Sequence, residues 1–374
     1  MKIQKEAILK ALENVIVSGE KHHIVEDGSV YNINIFGDEV IVDINIPNPS
    51  LQAKKKVEVD ILKAIHDEVY EKAKVKVNIT VEVPKKPSIV TDKAIPGIKN
   101  IIAVASGKGG VGKSTVTANI AVTLTKMGFK VGILDADIYG PSIPIMYDVA
   151  NEKPLSVNVD GKAKMKPVEN YGAKILSIGF FTNPNEAVIW RGAMASNALK
   201  QMVFDAHWGE LDFMLIDLPP GTGDIHLSVM QMMPVTGAVI VSTPQNIALA
   251  DARRGVAMFQ QDSINVPVLG MIENMSYFVP TECNDQKYYI FGKDGAKNLA
   301  KDINVPLLGE LPLEQSMREA GDVGRPAAMQ EGTALTKAFE SLTQNMITEL
   351  VKRNESLPPT EIIKITTMAG CSTK

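Results

Sequence analysis

The chain has 374 residues, of which 22% are charged and 5% aromatic, and its formal net charge is −4. That length holds two or three domains, and the mildly acidic balance excludes a dominant electrostatic grip on DNA or RNA. Two cysteines, Cys283 and Cys371, exclude a disulfide framework and give no zinc spacing.

The N-terminus, Met1-Lys2-Ile3-Gln4-Lys5-Glu6, lacks the apolar core of a signal peptide, and no apolar run has the length of a membrane span. A cytoplasmic protein is expected, acting on neither membrane nor nucleic acid. Residues 4–18 carry helical periodicity. Tyr31, Ile33 and Ile35 alternate with Asn32 and Asn34 as in a half-buried strand, and Gly37-Asp38 turns the chain into Val40, Val42, Ile44 and Ile46, completing a hairpin. The lysine-rich stretch 51–73 reads as a helix with Val57, Ile61 and Ile65 on one face, and Val75, Val77, Ile79, Val81 and Val83 read as a closing strand. Residues 1–83 are thus expected to form a small α+β domain, and the proline-bearing stretch 84–97 a linker.

From 98 to 353, short β-branched apolar segments alternate with helical ones. Strands are expected at 100–105, 130–134, 213–216, 238–242, 268–272 and 307–308, without polar alternation, as in a sheet covered on both faces. A last helix is expected around 335–353, and 354–374 forms a polar tail. The fold class this predicts is α/β, a mostly parallel sheet flanked by helices on both faces and preceded by the small α+β domain.

The stretch Gly107-Lys108-Gly109-Gly110-Val111-Gly112-Lys113-Ser114-Thr115 follows the apolar run Ile101-Ile102-Ala103-Val104-Ala105 and leads into Val116, Ile120, Leu124 and Met127. Strand, glycine loop and helix in this order make a phosphate loop. Its glycines let backbone N–H groups curl around a phosphate, and the helix N-terminus adds partial positive charge. Lys113 would reach the β and γ phosphates of a nucleoside triphosphate, and the Ser114 hydroxyl would ligate Mg²⁺. Lys108 lies on the far side of the glycine turn, placed to reach a nucleotide held by a second subunit.

The next strand ends in Asp135-Ala136-Asp137. Phosphoryl transfer needs a carboxylate near the attacking water, a role that fits Asp137; Asp135 also fits a loop cap. The apolar strand Phe213-Met214-Leu215-Ile216 ends in Asp217-Leu218-Pro219-Pro220-Gly221-Thr222-Gly223-Asp224. Asp217 is turned toward Mg²⁺, and the Pro/Gly sequel suits a loop that senses the γ-phosphate. His226, just beyond, either touches the nucleotide site or packs at a helix start.

Lys108 with Lys113, Asp135-Ala136-Asp137, and Asp217 with its Pro-Pro-Gly-Thr-Gly-Asp sequel resemble the deviant-Walker ATPases. Asp137-Ile138-Tyr139-Gly140-Pro141-Ser142-Ile143-Pro144, Trp190-Arg191-Gly192 with Trp208-Gly209-Glu210-Leu211-Asp212, and Glu273-Asn274-Met275-Ser276-Tyr277 narrow the resemblance to the Mrp/NBP35 (ApbC-like) branch, P-loop ATPases that carry iron–sulfur clusters. Residues 1–83 resemble the MIP18-type domain often fused in front of it. The resemblance implies an ATP-binding and ATP-hydrolysing homodimer that delivers clusters to apoprotein clients together with iron–sulfur assembly proteins. It places Lys108 on the partner subunit's nucleotide, Asp137 on water and Asn274 beside adenine. Pro312-Leu313-Glu314 resembles the family's base-flanking loop.

One departure bears on the cargo. Where most relatives carry a Cys-x-x-Cys pair holding a [4Fe–4S] cluster between two subunits, this chain has Phe278-Val279-Pro280-Thr281-Glu282-Cys283-Asn284-Asp285, and the N-terminal domain has Pro47-Asn48-Pro49-Ser50 in place of a cysteine stretch. Iron wants thiolates. Cys283 is therefore either a cluster ligand, alone or with Cys371, or an ordinary loop thiol. Two rival functions remain: a MinD/ParA-like spatial organiser, for which the chain shows neither a basic amphipathic C-terminal helix nor a basic patch, and a maturation ATPase that holds no cluster.

Overall fold

The computed structural model describes residues 4–15, 23–25, 29–46, 51–81, 95–182, 192–280 and 286–360. They fall into two compact units, Met1–Ile89 and Val90–Lys374. The first contains α1 (Lys5–Leu12), β1 (Val30–Phe36), β2 (Glu39–Ile46), α2 (Leu51–Glu68) and β3 (Lys74–Val81). The strands lie in the order β1-β2-β3, with β1 antiparallel and β3 parallel to β2. Gly37, at φ +65°, makes the expected hairpin turn, with Phe36 paired to Glu39 across it. Val57, Ile61 and Ile65 of α2 are buried with Ile8 and Leu12 of α1 against Val40, Val42 and Ile44. On the opposite sheet face Asp43 accepts hydrogen bonds from the amides of Asn32 (2.9 Å) and Asn78 (2.7 Å), tying the three strands together.

Two boundaries differ from expectation. α1 ends at Leu12 rather than 18, and α2 at Glu68 rather than 73. The C-terminal turn of α2 closes through Tyr70 N–H to the Ile65 carbonyl, and the Ala73 carbonyl accepts from the His66 ring, so 69–73 serve as a turn into β3.

The second unit runs β4 (Ile98–Ala105), α3 (Lys113–Lys126), β5 (Val131–Asp135), α4 (Ile143–Met146), the hairpin β6 (Leu155–Val159) and β7 (Lys162–Lys166), β8 (Val168–Asn170), β9 (Ala173–Ser177), α5 (Gly192–Phe204), β10 (Leu211–Asp217), α6 (Asp224–Met232), β11 (Gly237–Ser242), α7 (Asn246–Gln260), β12 (Val268–Glu273), α8 (Gly295–Asp302), β13 (Leu307–Glu310), α9 (Gln315–Asp322) and α10 (Ala334–Ser356). Eight strands form one sheet in the order β13-β12-β11-β4-β10-β5-β9-β8. All neighbours are parallel except β8, which joins β9 antiparallel at the edge. The six expected strands are present, and β8 and β9 extend the sheet beyond them.

Strand residues alternate between two apolar layers. Ile101, Ala103 and Ala105 of β4 pack with Leu199, Val229 and Val256 on one face, and Ile102 and Val104 pack with Ile120, Phe339 and Leu342 on the other. Both faces are therefore buried, which is why these strands read as unbroken apolar runs. Because β4 continues into α3 on one face and its neighbour β10 into α6 on the other, their connections part at the carboxyl ends of the strands. This topological switch opens a crevice. No helix among the described residues is long and apolar enough to cross a membrane.

Candidate functional site

The crevice is lined by the loop between β4 and α3. Gly110 and Gly112 both have φ +82°, and a Cβ on Gly107 would lie 2.1 Å from the Asp251 carbonyl carbon of α7. Only glycine permits that approach. α3 begins at Lys113 behind Gly112, without a side-chain cap, so its first N–H groups are left to the crevice.

Three side chains converge at this helix start. Lys113, 5% exposed, places Nζ 2.8 Å from Asp217 Oδ1 and 3.7 Å from Asp137 Oδ2. The Ser114 hydroxyl donates to Asp217 Oδ2 at 2.5 Å, and Thr117, one turn further along α3, donates to Asp217 Oδ1 at 3.0 Å. Asp217 is fully buried at the end of β10. The end of β5 adds two more carboxylates. Asp135 accepts from Ser177 Oγ (2.8 Å) and from the Asp137 and Ile143 N–H groups, so it ties the following loop to β9. Asp137 accepts from the Tyr139 and Gly140 N–H groups at 3.3 Å. Burial pushes the Asp135 carboxyl well above its usual range, and the Asp217 charge adds to the shift. Burial also raises Asp137, with the Lys113 ammonium opposing it.

Asn274, at the end of β12 and 2% exposed, donates from Nδ2 to the Val111 carbonyl at 2.8 Å, while its buried Oδ1 has no partner. A Cβ on Gly112 would lie 2.3 Å from that amide nitrogen, so loop and amide are fitted to each other. Lys108 is exposed, makes no ion pair among the described residues, and borders a second hollow beside Thr243, Gln245 and Phe291. Thr115 lies on α3, where its carbonyl accepts from Asn119. Leu313 donates its N–H to the Tyr277 carbonyl, which sets the 312–314 stretch beside the end of β12.

Glu273 closes the segment that follows. Its buried carboxylate accepts from Ser276 Oγ (2.6 Å) and from the Ala296 N–H that opens α8. Between those points Phe278 and Tyr288 pair antiparallel through two hydrogen bonds of 2.8 Å. Cys283, Cys371, Arg191 and the 47–50 stretch lie outside the described residues. Among the described residues no group of His, Cys, Asp and Glu is arranged to hold a metal by itself.

Sequence reasoning did not find Thr117, Ser177 or the environment of His226. Thr117 is four residues after Lys113 on the same helix face, a spacing that marks it. Ser177 belongs to β9, and its role appears only once that strand is placed beside β5.

A family model described as NUBPL iron-transfer P-loop NTPase matches residues 97–347, and one described as iron–sulfur cluster assembly protein matches 5–79. The chain belongs to the iron-transfer P-loop NTPases. The iron–sulfur cluster carrier protein of Synechocystis is 40% identical over 342 residues, spanning 91% of this chain and 96% of its own. The mitochondrial iron–sulfur protein required for NADH dehydrogenase of Arabidopsis thaliana is 48% identical over 73% of this chain and 85% of its own. A nucleotide-binding protein of Archaeoglobus fulgidus, solved with ADP, is 40% identical and superposes with a TM-score of 0.54 over 63% of this chain and 90% of that one. The fold is that of a P-loop NTPase, and the family is one of iron–sulfur cluster carrier and transfer proteins.

Proposed function

We propose that the chain binds ATP with Mg²⁺ in the crevice, hydrolyses it slowly as a homodimer, and uses that cycle to govern delivery of iron–sulfur clusters to apoprotein clients. The observation that supports this most is the contact of Lys113 and Ser114 with buried Asp217 at 2.8 and 2.5 Å. A cation, a hydroxyl and a carboxylate beside a glycine cradle are the groups a Mg²⁺-triphosphate requires.

In this mechanism Lys113 exchanges Asp217 for β and γ phosphate oxygens while the loop N–H groups hold the rest of the chain of phosphates. Ser114 and Asp217 would hold Mg²⁺, which when bound neutralises charge across those oxygens. Asp137, fixed by two backbone N–H groups, is placed to orient the attacking water. The orphaned Asn274 Oδ1 fits the amino group of adenine and favours ATP over GTP. Lys108 acts on the nucleotide of a second copy.

The family and its relatives support an iron–sulfur cluster as cargo. Cys283 supplies at most one thiolate per subunit, so a cluster held between two copies takes its remaining ligands from Cys371, from an Asp, Glu or His, from glutathione or from a client. Titration calorimetry of Lys113→Ala with Mg²⁺-ATP tests the nucleotide half, and unchanged affinity would refute it. Anaerobic reconstitution with iron and sulfide tests the cargo half. A charge-transfer band that survives in both Cys283→Ala and Cys371→Ala removes these thiols as ligands.

A further inference from the structure

α6 opens at Asp224 behind Gly223, an extended N-cap at φ −87° and ψ −175°. Its first turn carries His226 inward together with Ile225, Val229 and Met230. The imidazole is 1% exposed, and neither Nδ1 nor Nε2 has a hydrogen-bond partner. The Gly223 and Pro219 backbones approach the ring without reaching hydrogen-bond geometry. Burial pushes the imidazole down to about 4; those backbone groups oppose the shift and the Lys113 ammonium adds to it. At neutral pH the ring therefore carries one N–H donor and one bare acceptor. A buried donor and acceptor that are both unmatched are rare in folded proteins, and any movement that matches one of them is favoured.

The loop from Leu218 to Gly223 can supply that movement. Three backbone hydrogen bonds anchor it: Leu218 N–H to the Val104 carbonyl (3.1 Å), Gly221 N–H to the Ser106 carbonyl (2.9 Å) and, at its far end, His226 N–H to the Gly223 carbonyl (3.1 Å). Gly221 has φ +92°, and a Cβ on Gly221 or Gly223 would meet nothing within 4 Å, so the segment has room around it. Pro220 faces the phosphate loop, 3.8 Å from where a Gly109 Cβ would lie. One part of the segment thus borders the phosphate cradle, while Pro219 and Gly223 border the His226 ring.

We propose that His226 is a positioning residue for phosphoryl transfer: its ring nitrogens hold the 218–223 backbone, through Pro219 or Gly223, in the arrangement taken with a triphosphate bound. This rests on the ATPase reading above. The residue acts through the loop rather than on the reacting atoms. If it were only filler, an apolar residue of similar bulk would serve as well.

The test compares the full chain with His226→Leu, His226→Gln and His226→Asn. His226→Leu is expected to bind ATP more weakly, by up to about tenfold, because a hydrogen bond made only with the triphosphate bound also contributes to binding. It should unfold no earlier than the parent, because it replaces a buried ring whose nitrogens have no hydrogen-bond partner. Its turnover should fall about tenfold or more, the scale of one buried hydrogen bond missing from the active arrangement. An amide should restore part of it, Gln where Nε2 makes the bond and Asn where Nδ1 does. Independently of activity, the ¹⁵N ring resonance of His226, assigned by its absence in His226→Gln, should move on addition of a non-hydrolysable ATP analogue. Parental turnover in His226→Leu, a ring resonance that stays put with analogue bound, or lost turnover matched by lost stability without amide rescue would each overturn the proposal. A parent chain that neither binds nor hydrolyses ATP defeats the ATPase reading and this inference with it. An active parent beside an equally active His226→Leu removes only the role of His226.

Discussion

Replacing Lys113 with Met keeps the aliphatic stem in its packing and deletes the charge, which separates the two things this side chain does. Its ammonium is 2.8 Å from Asp217 and 3.7 Å from Asp137, with side-chain exposures of 5%, 0% and 11%. Removing one partner of a buried ion pair costs about 3–5 kcal/mol because the other charge stays desolvated. Here Asp135 and Asp137, whose carboxyls burial already raises, escape part of that cost by binding protons, so a loss of about 3 kcal/mol near neutrality is expected, which lowers Tm by about 6 °C. The pH dependence has a definite sign. Lys113 opposes the upward shifts of Asp135 and Asp137, so its removal raises both further. A carboxyl whose folded value lies above its unfolded one is tolerated while protonated and loses stability as pH rises toward the folded value. The deficit of Lys113→Met should therefore be larger at about pH 8 than at about pH 6. Thermal unfolding at the two pH values, with Mg²⁺-ATP calorimetry alongside, measures it. Equal Tm at both, together with parental ATP affinity, would show that neither the ion cluster nor the phosphate role is as described.

Asn274→Ala should cost about 1 kcal/mol of stability for one lost bond to the Val111 carbonyl and lower ATP affinity about tenfold. GTP affinity should barely change, and an ATP-over-GTP preference left intact would exclude the adenine contact. Lys108→Ala, at an exposed position, should leave ATP binding and Tm unaltered but slow turnover; normal turnover counts against action across a dimer. Because the imidazole of His226 is held near 4 rather than 6.5 by burial, the unfolded chain takes up a proton that the folded one does not, and stability is lost as pH falls from 6.5 toward 4. Urea unfolding should show up to about 3 kcal/mol of such loss in the parent, and His226→Leu should lack this component.

What the sequence makes legible is what is encoded locally. The phosphate loop is a contiguous run whose glycines announce their own backbone demands, and the structure sets it between β4 and α3. The six core strands are visible because burial on both faces leaves them uniformly apolar. Edge elements lack that mark. β9 is five residues long and carries Lys174, whose ammonium reaches the Trp208 carbonyl at 2.6 Å, so it reads as neither run nor alternation. The hairpin of β6 and β7 does carry a signal, the Asp160-Gly161 turn with φ +51° and +78°, a pair suited to tight hairpins. Helix ends are misjudged where no glycine or proline stops them, as at Glu68. The convergence of Lys113, Ser114 and Thr117 on Asp217 spans about a hundred residues of chain, and only the β4–β10 pairing brings it about. The unmatched ring of His226 likewise depends on how α6 packs.

The Glu273 carboxylate grips both the departure and the return of the chain between β12 and α8. A segment pinned at its two ends by one buried side chain is a replaceable cartridge: the residues between those pins can be rewritten without unsettling Asn274, one residue from Glu273. On the function proposed above, nucleotide handling and cluster handling thereby become separately editable. The same base can carry different sequences while the phosphate loop stays as it is.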